Sequence, residues 1–237
     1  MTHRRGEPEL PSGDALVRLL LSMYCQGIFP MADSTGGDIN WYTADPRAII
    51  PLNSFHVPAT VERVLSRGRF ELTTDHAFAD VIRGCASPRH RRASASVSKD
   101  TWINGTIVEW FTELHRAGAA HSLEAWRTDP ASGERLLVGG VYGVTAGAAF
   151  FAESMFHVSR PRRPDGSRDP LDGTDASNVC LVRLLRHLVE CGYRLFDVQF
   201  ANPHTARFGV REVAAEAYQR LLADAVTDRD RWRPLES

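Results

Sequence analysis

Two polar side chains interrupt an otherwise apolar segment, residues 193–200, towards the C-terminal end of the chain. Asp197 and Gln199 stand there among Leu195, Phe196 and Val198. If the segment is a β-strand, its period of two places Asp197 and Gln199 side by side on one face. Burying such groups without partners costs on the order of 1–3 kcal/mol each. They therefore either bond to neighbouring loop backbone or belong to a functional site.

A second carboxylate, Glu153, lies among the aromatic and methionine residues of segment 150–156. It could pair with a structural arginine, or stand at the mouth of an apolar pocket and receive a cationic ligand. Trp41, Trp102 and Trp110 are candidates for stacking on a nucleic-acid base, although such residues more often belong to a core or an interface.

The net charge of −1 hides a strong preference for arginine, because Lys99 is the only lysine. Arginines gather in the polar stretches 83–99 and 160–168. A guanidinium suits phosphate because its planar fork donates two hydrogen bonds at once. The same stretches also fit ordinary solvated loops, so charge alone neither supports nor excludes an RNA partner.

Composition predicts a soluble, cytoplasmic protein. A chain of 237 residues with 43% hydrophobic and 24% charged residues holds one large domain, or a large and a small one. It contains no run of ~18 apolar residues, and segment 1–12 lacks the apolar core of a signal peptide. The four cysteines form no CxxC pair, which favours free thiols in a reducing compartment and argues against a zinc site.

Hydrophobic periodicity predicts an α/β (α+β) fold with two domains, a small N-terminal unit at 1–48 and a larger domain at 49–237. Helices are predicted at 14–26, 75–85, 102–117, 176–191 and 212–225, and strands at 39–43, 70–73, 121–127, 136–145, 148–153 and 193–200. Thr74 or Asp75 is expected to cap the second helix, and Ala146-Gly147 to form a hairpin turn. Segment 157–174 is interpreted as an inserted loop. Gly139, Gly140 and Gly143 predict close approach of another backbone.

An ordered set of motifs makes the chain similar to the leucyl/phenylalanyl-tRNA–protein transferases, collinearly from about residue 14 to 222. The motifs are Gln26-Gly27-Ile28-Phe29-Pro30, Trp41 with Asp45-Pro46-Arg47, Gly84-Cys85-Ala86, Thr101-Trp102-Ile103, His121-Ser122-Leu123-Glu124, Val138-Gly139-Gly140-Val141-Tyr142-Gly143-Val144, Glu153-Ser154-Met155-Phe156, Asp197-Val198-Gln199 and Asn202-Pro203-His204.

The resemblance implies a small N-terminal domain followed by a GNAT-like acyltransferase domain. It implies transfer of Leu, Phe and, less readily, Met from aminoacyl-tRNA to proteins that begin with Arg or Lys, which marks them for N-end-rule degradation. It implies a monomer that needs no cofactor or metal.

Particular positions take roles from the same resemblance. Asp197 and Gln199 match the catalytic pair, and Glu153 matches the carboxylate that receives the basic N-terminal residue. The remaining implied substrate-binding residues are Trp102 at the terminal adenosine, Val141, Phe150 and Met155 in the amino-acid pocket, and Met31, Trp41, Trp110 and Asn202.

The implied reaction requires no further activation of the donor, because an aminoacyl ester is already activated. The attacking amine must be neutral, and a free α-amine has a pKa near 8. Gln199 is expected to accept a hydrogen bond from the amine, with Asp197 polarising and holding that amide. The final proton acceptor stays open.

Departures from the family pattern leave alternatives open. Met31 stands where tryptophan is usual, Gln26 where arginine is common, and the loop 157–174 replaces a short linker. We expect the loop to contact tRNA phosphates or to reshape acceptor access, or else to be a species-specific insertion. A transferase with altered donor or acceptor is the first alternative. An acetyl-CoA-dependent transferase is disfavoured by the lack of a pyrophosphate loop before Ala176, and a non-catalytic tRNA- or N-terminus-binding module is the third.

Overall fold

The computed structural model describes residues 12–87 and 101–235. The start of the chain and most of the arginine-rich stretch 83–99 lie outside these ranges. The helices are α1 Gly13–Tyr24, α2 Ala59–Ser66, α3 Phe78–Ala86, α4 Gly105–Arg116, α5 Ala176–Cys191, α6 Pro203–Ala206 and α7 Ala215–Val226. The strands are β1 Phe29–Ala32, β2 Ile39–Tyr42, β3 Arg47–Ile49, β4 Glu71–Thr74, β5 Ala120–Thr128, β6 Arg135–Ala146, β7 Ala149–His157, β8 Leu195–Gln199 and β9 Arg211–Val213.

A seven-stranded sheet organises the chain, with strand order β4-β5-β6-β7-β8-β3-β9, beside a small two-stranded sheet of β1 and β2. This mixed architecture, a small N-terminal unit with a large mixed sheet, confirms the predicted fold class and is consistent with an α+β acyltransferase fold. The boundary after residue 48 stays a prediction. β3 spans it and pairs with both β8 and β9.

Strands β7 and β8 are parallel, unlike the other strand pairs of the described ranges. Their pairing covers only Ala149 to Phe151 against Leu195 to Asp197. Beyond those residues β7 continues to His157 while β8 ends at Gln199. The two strands therefore separate, and the sheet opens between them.

Helices cover both faces of the large sheet. Helices α1, α3, α4 and α7 bury apolar residues in one cluster, and α2 and α5 bury theirs in a second. Helix α5 has the predicted bounds, and Gly192 ends it in a left-handed conformation at φ 84° while its N–H bonds back to the last turn. The predicted crowding around glycine is confirmed at Gly143, where a Cβ would overlap the carbonyl oxygen of Phe151.

Three predictions about local elements were wrong. Helix α3 has Ala77 at its N-cap without a side-chain cap, because Asp75 instead accepts from the backbone N–H of Ser122 at 2.9 Å. The hairpin turn is residues 147–148, since Ala146 and Ala149 are paired. The helix predicted from residue 212 begins at Ala215, because residues 211–213 form β9.

The loop 158–175 is anchored to the body of the protein through Asp172. This carboxylate accepts from Arg69 at 3.2 Å, Arg168 at 3.0 Å and the Thr174 hydroxyl at 2.8 Å. The backbone N–H of Val158 also bonds to Val138 of β6. The loop is thus fastened beside the sheet, with Arg162 and Arg163 exposed.

No helix within the described ranges has the length and hydrophobicity that a membrane span requires.

Candidate active site

A cavity of about 560 Å³ opens where β7 and β8 separate. Its lining comprises Trp102, Val141, Ala152, Glu153, Ser154, Met155, Leu181, Val198, Gln199, Asn202, Pro203, His204 and Thr205. Six of the predicted site residues are therefore brought together here: Glu153, Gln199, Trp102, Val141, Met155 and Asn202.

Glu153 lies at a β-bulge. Tyr142 of β6 pairs with Ser154 and Gly143 pairs with Ala152, so Glu153 has no opposite residue. Bulges are common beside active sites because they re-aim a side chain. Here the carboxylate accepts a hydrogen bond from the Tyr24 hydroxyl at 2.8 Å.

Burial raises the pKa of Glu153 from 4.5 to about 8. The Tyr24 hydrogen bond opposes this shift, while the negative charge of Asp197 adds to it. A carboxylate of this kind is costly to ionise when alone, and its charged form is favoured when a cation binds beside it.

Gln199 ends β8 in a left-handed conformation, with φ 59°. Its backbone N–H donates to Asp197 Oδ1 at 2.8 Å, and its side-chain Nε2 donates to Glu153 Oε1 at 3.3 Å. Because the nitrogen is engaged by a carboxylate, the amide oxygen is the group left to accept from a ligand.

Asp197 lies beneath the cavity and has no exposed surface. The expectation that it polarises the side-chain amide of Gln199 was wrong, because it bonds to the Gln199 backbone instead. Its other partners are Arg47, through Nε and Nη2 at 2.8–3.0 Å, and the Tyr218 hydroxyl at 2.5 Å.

The remaining cavity wall is largely apolar. Val141, Met155, Leu181 and Val198 all pack against the cluster beneath α5, while Trp102 adds an aromatic surface from the other side. Such a wall suits an aliphatic or aromatic side chain, which it holds by burial of apolar surface.

Four predicted substrate contacts do not line the cavity. Phe150 is fully buried, and its ring stacks 5.6 Å from that of Phe196. Trp110 is buried and stacks on Trp41 at 6.0 Å. Met31 packs against the same core. Phe150, expected in the amino-acid pocket, lies in the same apolar cluster as Val141 and Leu181 but behind the cavity lining.

Asn202 lines the cavity as the N-cap of α6. Its side-chain oxygen accepts from the backbone N–H groups of His204 at 2.9 Å and Thr205 at 3.0 Å. A ligand would therefore meet its side-chain nitrogen.

Three residues that bond to Glu153 or Asp197 were not predicted from the sequence: Tyr24, Arg47 and Tyr218. Arg47 belongs to the Asp45-Pro46-Arg47 motif, which contributes to the family resemblance but implies no role for this residue. Tyr24 and Tyr218 follow ordinary helical periodicity in α1 and α7, so nothing in the sequence marked their hydroxyl groups.

An α+β sheet that opens between two parallel strands, with an amide and a carboxylate at the opening, is consistent with an acyltransferase. Comparison with known proteins identifies which kind. The family profile of the leucyl/phenylalanyl-tRNA protein transferases matches residues 49–223, and the profile of their N-terminal domain matches residues 13–45.

Curated relatives carry the same description. The chain is 41% identical to the leucyl/phenylalanyl-tRNA–protein transferase of Akkermansia muciniphila over 89% of this chain and 95% of that protein. The corresponding protein of Rubrobacter xylanophilus is 42% identical, with 88% and 93% covered. That of Salinibacter ruber is 39% identical, with 92% and 83% covered. The chain belongs to the leucyl/phenylalanyl-tRNA–protein transferase family and is an aminoacyltransferase.

Proposed function

We propose that this protein transfers leucine or phenylalanine, and less readily methionine, from aminoacyl-tRNA to the N-terminal Arg or Lys of acceptor proteins, marking them for N-end-rule degradation. The observation that carries the proposal is the contact between Gln199 and Glu153 in a cavity with an apolar wall. One group orients an amine, the other binds a cation, and the wall receives an apolar side chain.

The donor's amino-acid side chain would occupy the apolar part of the cavity, between Val141, Met155 and Leu181. Trp102 would stack on the terminal adenosine. Discrimination among apolar side chains by such a wall is modest, about 1–3 kcal/mol per methylene. This agrees with the use of both leucine and phenylalanine.

The acceptor's basic side chain would bind Glu153. Because burial raises the pKa of this carboxyl to about 8, a guanidinium or ammonium group restores the charged form on binding. A neutral or acidic N-terminal side chain gives no such compensation. Selection of Arg and Lys follows from this difference.

The reaction would join the acceptor's α-amine nitrogen to the ester carbonyl carbon, while the carbon–oxygen bond to the terminal ribose breaks. One proton of the amine ends on the released ribose oxygen. The Gln199 amide oxygen would accept a hydrogen bond from the amine and aim its lone pair at the carbonyl carbon. An amide is a weak base, so the role given to Gln199 is orientation.

The proposed mechanism requires no residue from a second copy of the chain, and we propose that the protein acts as a monomer. None of the four cysteines is in a disulfide, and aminoacyl-tRNA is made in the cytoplasm. Both points support the proposal that the protein acts in the cytoplasm.

Peptides that differ only in their first residue test the acceptor part of the proposal. With Leu-tRNA as donor, Arg- and Lys-starting peptides should be labelled, and Ala- and Glu-starting peptides should not. Glu153→Gln should lose the preference. Equal labelling of all four peptides by the unmodified protein would reject the acceptor assignment while leaving aminoacyl transfer intact.

A further inference from the structure

The carboxylate of Asp197 meets a full set of donors inside the protein. Arg47 Nε lies 3.0 Å from each oxygen, and Arg47 Nη2 lies 2.8 Å from Oδ2. The Tyr218 hydroxyl donates to Oδ2 at 2.5 Å, and the Gln199 backbone N–H donates to Oδ1 at 2.8 Å. With no exposed surface, Asp197 cannot touch the reacting atoms.

The two donors that come from outside β8 are themselves held in place. Arg47, 1% exposed, donates through Nη1 to the carbonyl oxygen of Gly27 at 2.9 Å. Its guanidinium carbon lies 4.7 Å from the Phe29 ring and 4.8 Å from the Tyr218 ring. Burial, with the neighbouring charge of Asp197, keeps the pKa of Tyr218 well above its ordinary value, so the hydroxyl stays a donor.

Gln199 needs this support because its backbone is in a region that L-residues avoid. A left-handed conformation is unfavourable for a non-glycine residue, and it persists where the surroundings over-determine it. The Asp197 carboxylate supplies that constraint through the Gln199 N–H. It fixes the direction in which the side-chain amide leaves β8.

We infer that Arg47 and Tyr218 are positioning residues: they fix the Asp197 carboxylate, which holds the Gln199 backbone so that its amide faces the cavity. The inference rests on the proposed role of Gln199 as the group that orients the amine. Asp197 then also acts indirectly, and Gln199 is the residue of these four that contacts the reacting amine.

In this arrangement, the residues that orient Gln199 are different from those that bind the donor and the acceptor. Tyr218 does not line the cavity, and its replacement by phenylalanine removes no charge, so the residues that bind donor and acceptor are the same in Tyr218→Phe. A misplacement of about 1 Å at a reacting centre costs on the order of 10²-fold in rate. Loss of positioning should therefore appear in kcat and leave both KM values near their original level.

Tyr218→Phe removes one hydroxyl, and the chain offers a matched control. Tyr193, 5% exposed against 2% for Tyr218, donates to Asp230 at 2.5 Å and lies outside the cavity lining. Tyr218→Phe removes a buried hydroxyl–carboxylate bond and Tyr193→Phe a partly buried one, so both should lower the melting temperature, Tyr218→Phe by at least as much. Only Tyr218→Phe should lower kcat, by about tenfold or more, with both KM values within about twofold.

A double substitution shows whether Tyr218 acts through Gln199. In a Gln199→Gly background, adding Tyr218→Phe should not lower the residual rate further, because the group being positioned is gone. Equal kcat losses for Tyr218→Phe and Tyr193→Phe would overturn the inference. So would a full further loss in the Gln199→Gly background.

Hydrogen exchange at the Gln199 backbone amide gives a readout that does not depend on activity. Protection should fall in Tyr218→Phe and not in Tyr193→Phe. If the unmodified protein transfers no amino acid, the proposed function fails, and this exchange experiment still decides whether Tyr218 holds the Gln199 backbone. Unchanged protection in Tyr218→Phe would contradict the inference directly.

Discussion

Gln199 Nε2 and Glu153 Oε1 are 3.3 Å apart, and this contact joins the end of β8 to the bulge in β7. The two strands have already separated at this point, so the contact crosses the mouth of the opening between them. An acceptor whose first residue is Arg or Lys carries its amine and its basic group a few bonds apart. The two side chains can therefore be engaged by one residue at once.

Replacing Gln199 by glycine should abolish most transfer without harming the fold. Glycine adopts a positive φ without strain, so Gln199→Gly should be at least as stable as the unmodified protein. The transfer rate should fall by about 10²-fold or more. Chemical denaturation and single-turnover transfer measure the two quantities. A variant that unfolds easily would contradict the account of the backbone, and one with full activity would contradict the role of the amide.

Glu153→Gln should stabilise the protein at alkaline pH. The pKa of Glu153 is raised in the folded state, so the folded protein holds an extra proton between pH 4.5 and about 8, and the free energy of unfolding falls as pH rises through this window. The Glu153 side chain is only partly buried, and solvent screening therefore reduces the effect. The free energy of unfolding of Glu153→Gln should exceed that of the unmodified protein by about 1–2 kcal/mol at pH 8, and the difference should vanish near pH 4. Urea denaturation at both pH values measures it. A gain that is the same at both would rule out the ionisation of Glu153 as its cause.

Binding of a basic acceptor should release a proton from Glu153. At pH 7 most Glu153 side chains are protonated, since their pKa is about 8, and the bound cation favours the ionised form. N-acetyl-arginine amide, which has no free α-amine, is the suitable probe. Calorimetry in two buffers of different ionisation enthalpy should show release of close to one proton in the unmodified protein and none in Glu153→Gln. Binding without proton release would contradict the assignment.

Substitutions at Met155 and Phe150 should distinguish a residue that lines the pocket from one that is packed in the core. Met155→Ala enlarges the cavity wall and should shift the donor preference towards Phe-tRNA over Leu-tRNA by several-fold, within the roughly 1–3 kcal/mol that one methylene commands. Phe150→Leu should lower stability by about 1–2 kcal/mol because its ring is packed in the core, yet leave the preference unchanged. Competition between the two charged tRNAs measures the ratio. A shift in Phe150→Leu and none in Met155→Ala would place the pocket elsewhere.

The exposed arginines of the loop 158–175 allow a test of contact with tRNA phosphates. If Arg162 and Arg163 each neutralise a phosphate, the Arg162→Ala/Arg163→Ala double variant should bind tRNA more weakly. The slope of log affinity against log salt should then fall by about 1–2. Asp172, which anchors the loop, is left unchanged so that the loop keeps its position. An unaltered slope would mean that the loop does not contact the tRNA backbone.

Much of the framework was predictable because it depends on short-range patterns. The apolar repeat of α5 and its terminal Gly192 gave the helix its bounds, and strand alternation placed Phe196 and Val198 opposite Leu195. The resemblance singled out Glu153 and Gln199, which the structure brings together.

The supporting geometry was not predictable, because it depends on contacts far apart in sequence. Arg47 and Asp197 are separated by 150 residues, and no local pattern pairs them. The bulge at Glu153 interrupts the regular pairing of β6 with β7, and no residue pattern in the sequence marks its position. Phe150 lies behind the wall formed by Val141 and Leu181, and which of these apolar side chains reaches the cavity depends on how α5 packs on the sheet.

Transfer of radiolabelled leucine from Leu-tRNA to a model protein that begins with arginine tests the central claim most directly. The unmodified protein and Gln199→Gly are compared under single-turnover conditions, with label counted in protein precipitate that resists hot acid. The account predicts stable label with the unmodified protein and a loss of about 10²-fold or more with Gln199→Gly. No label from Leu-, Phe- or Met-tRNA, or equal label with both proteins, would contradict it.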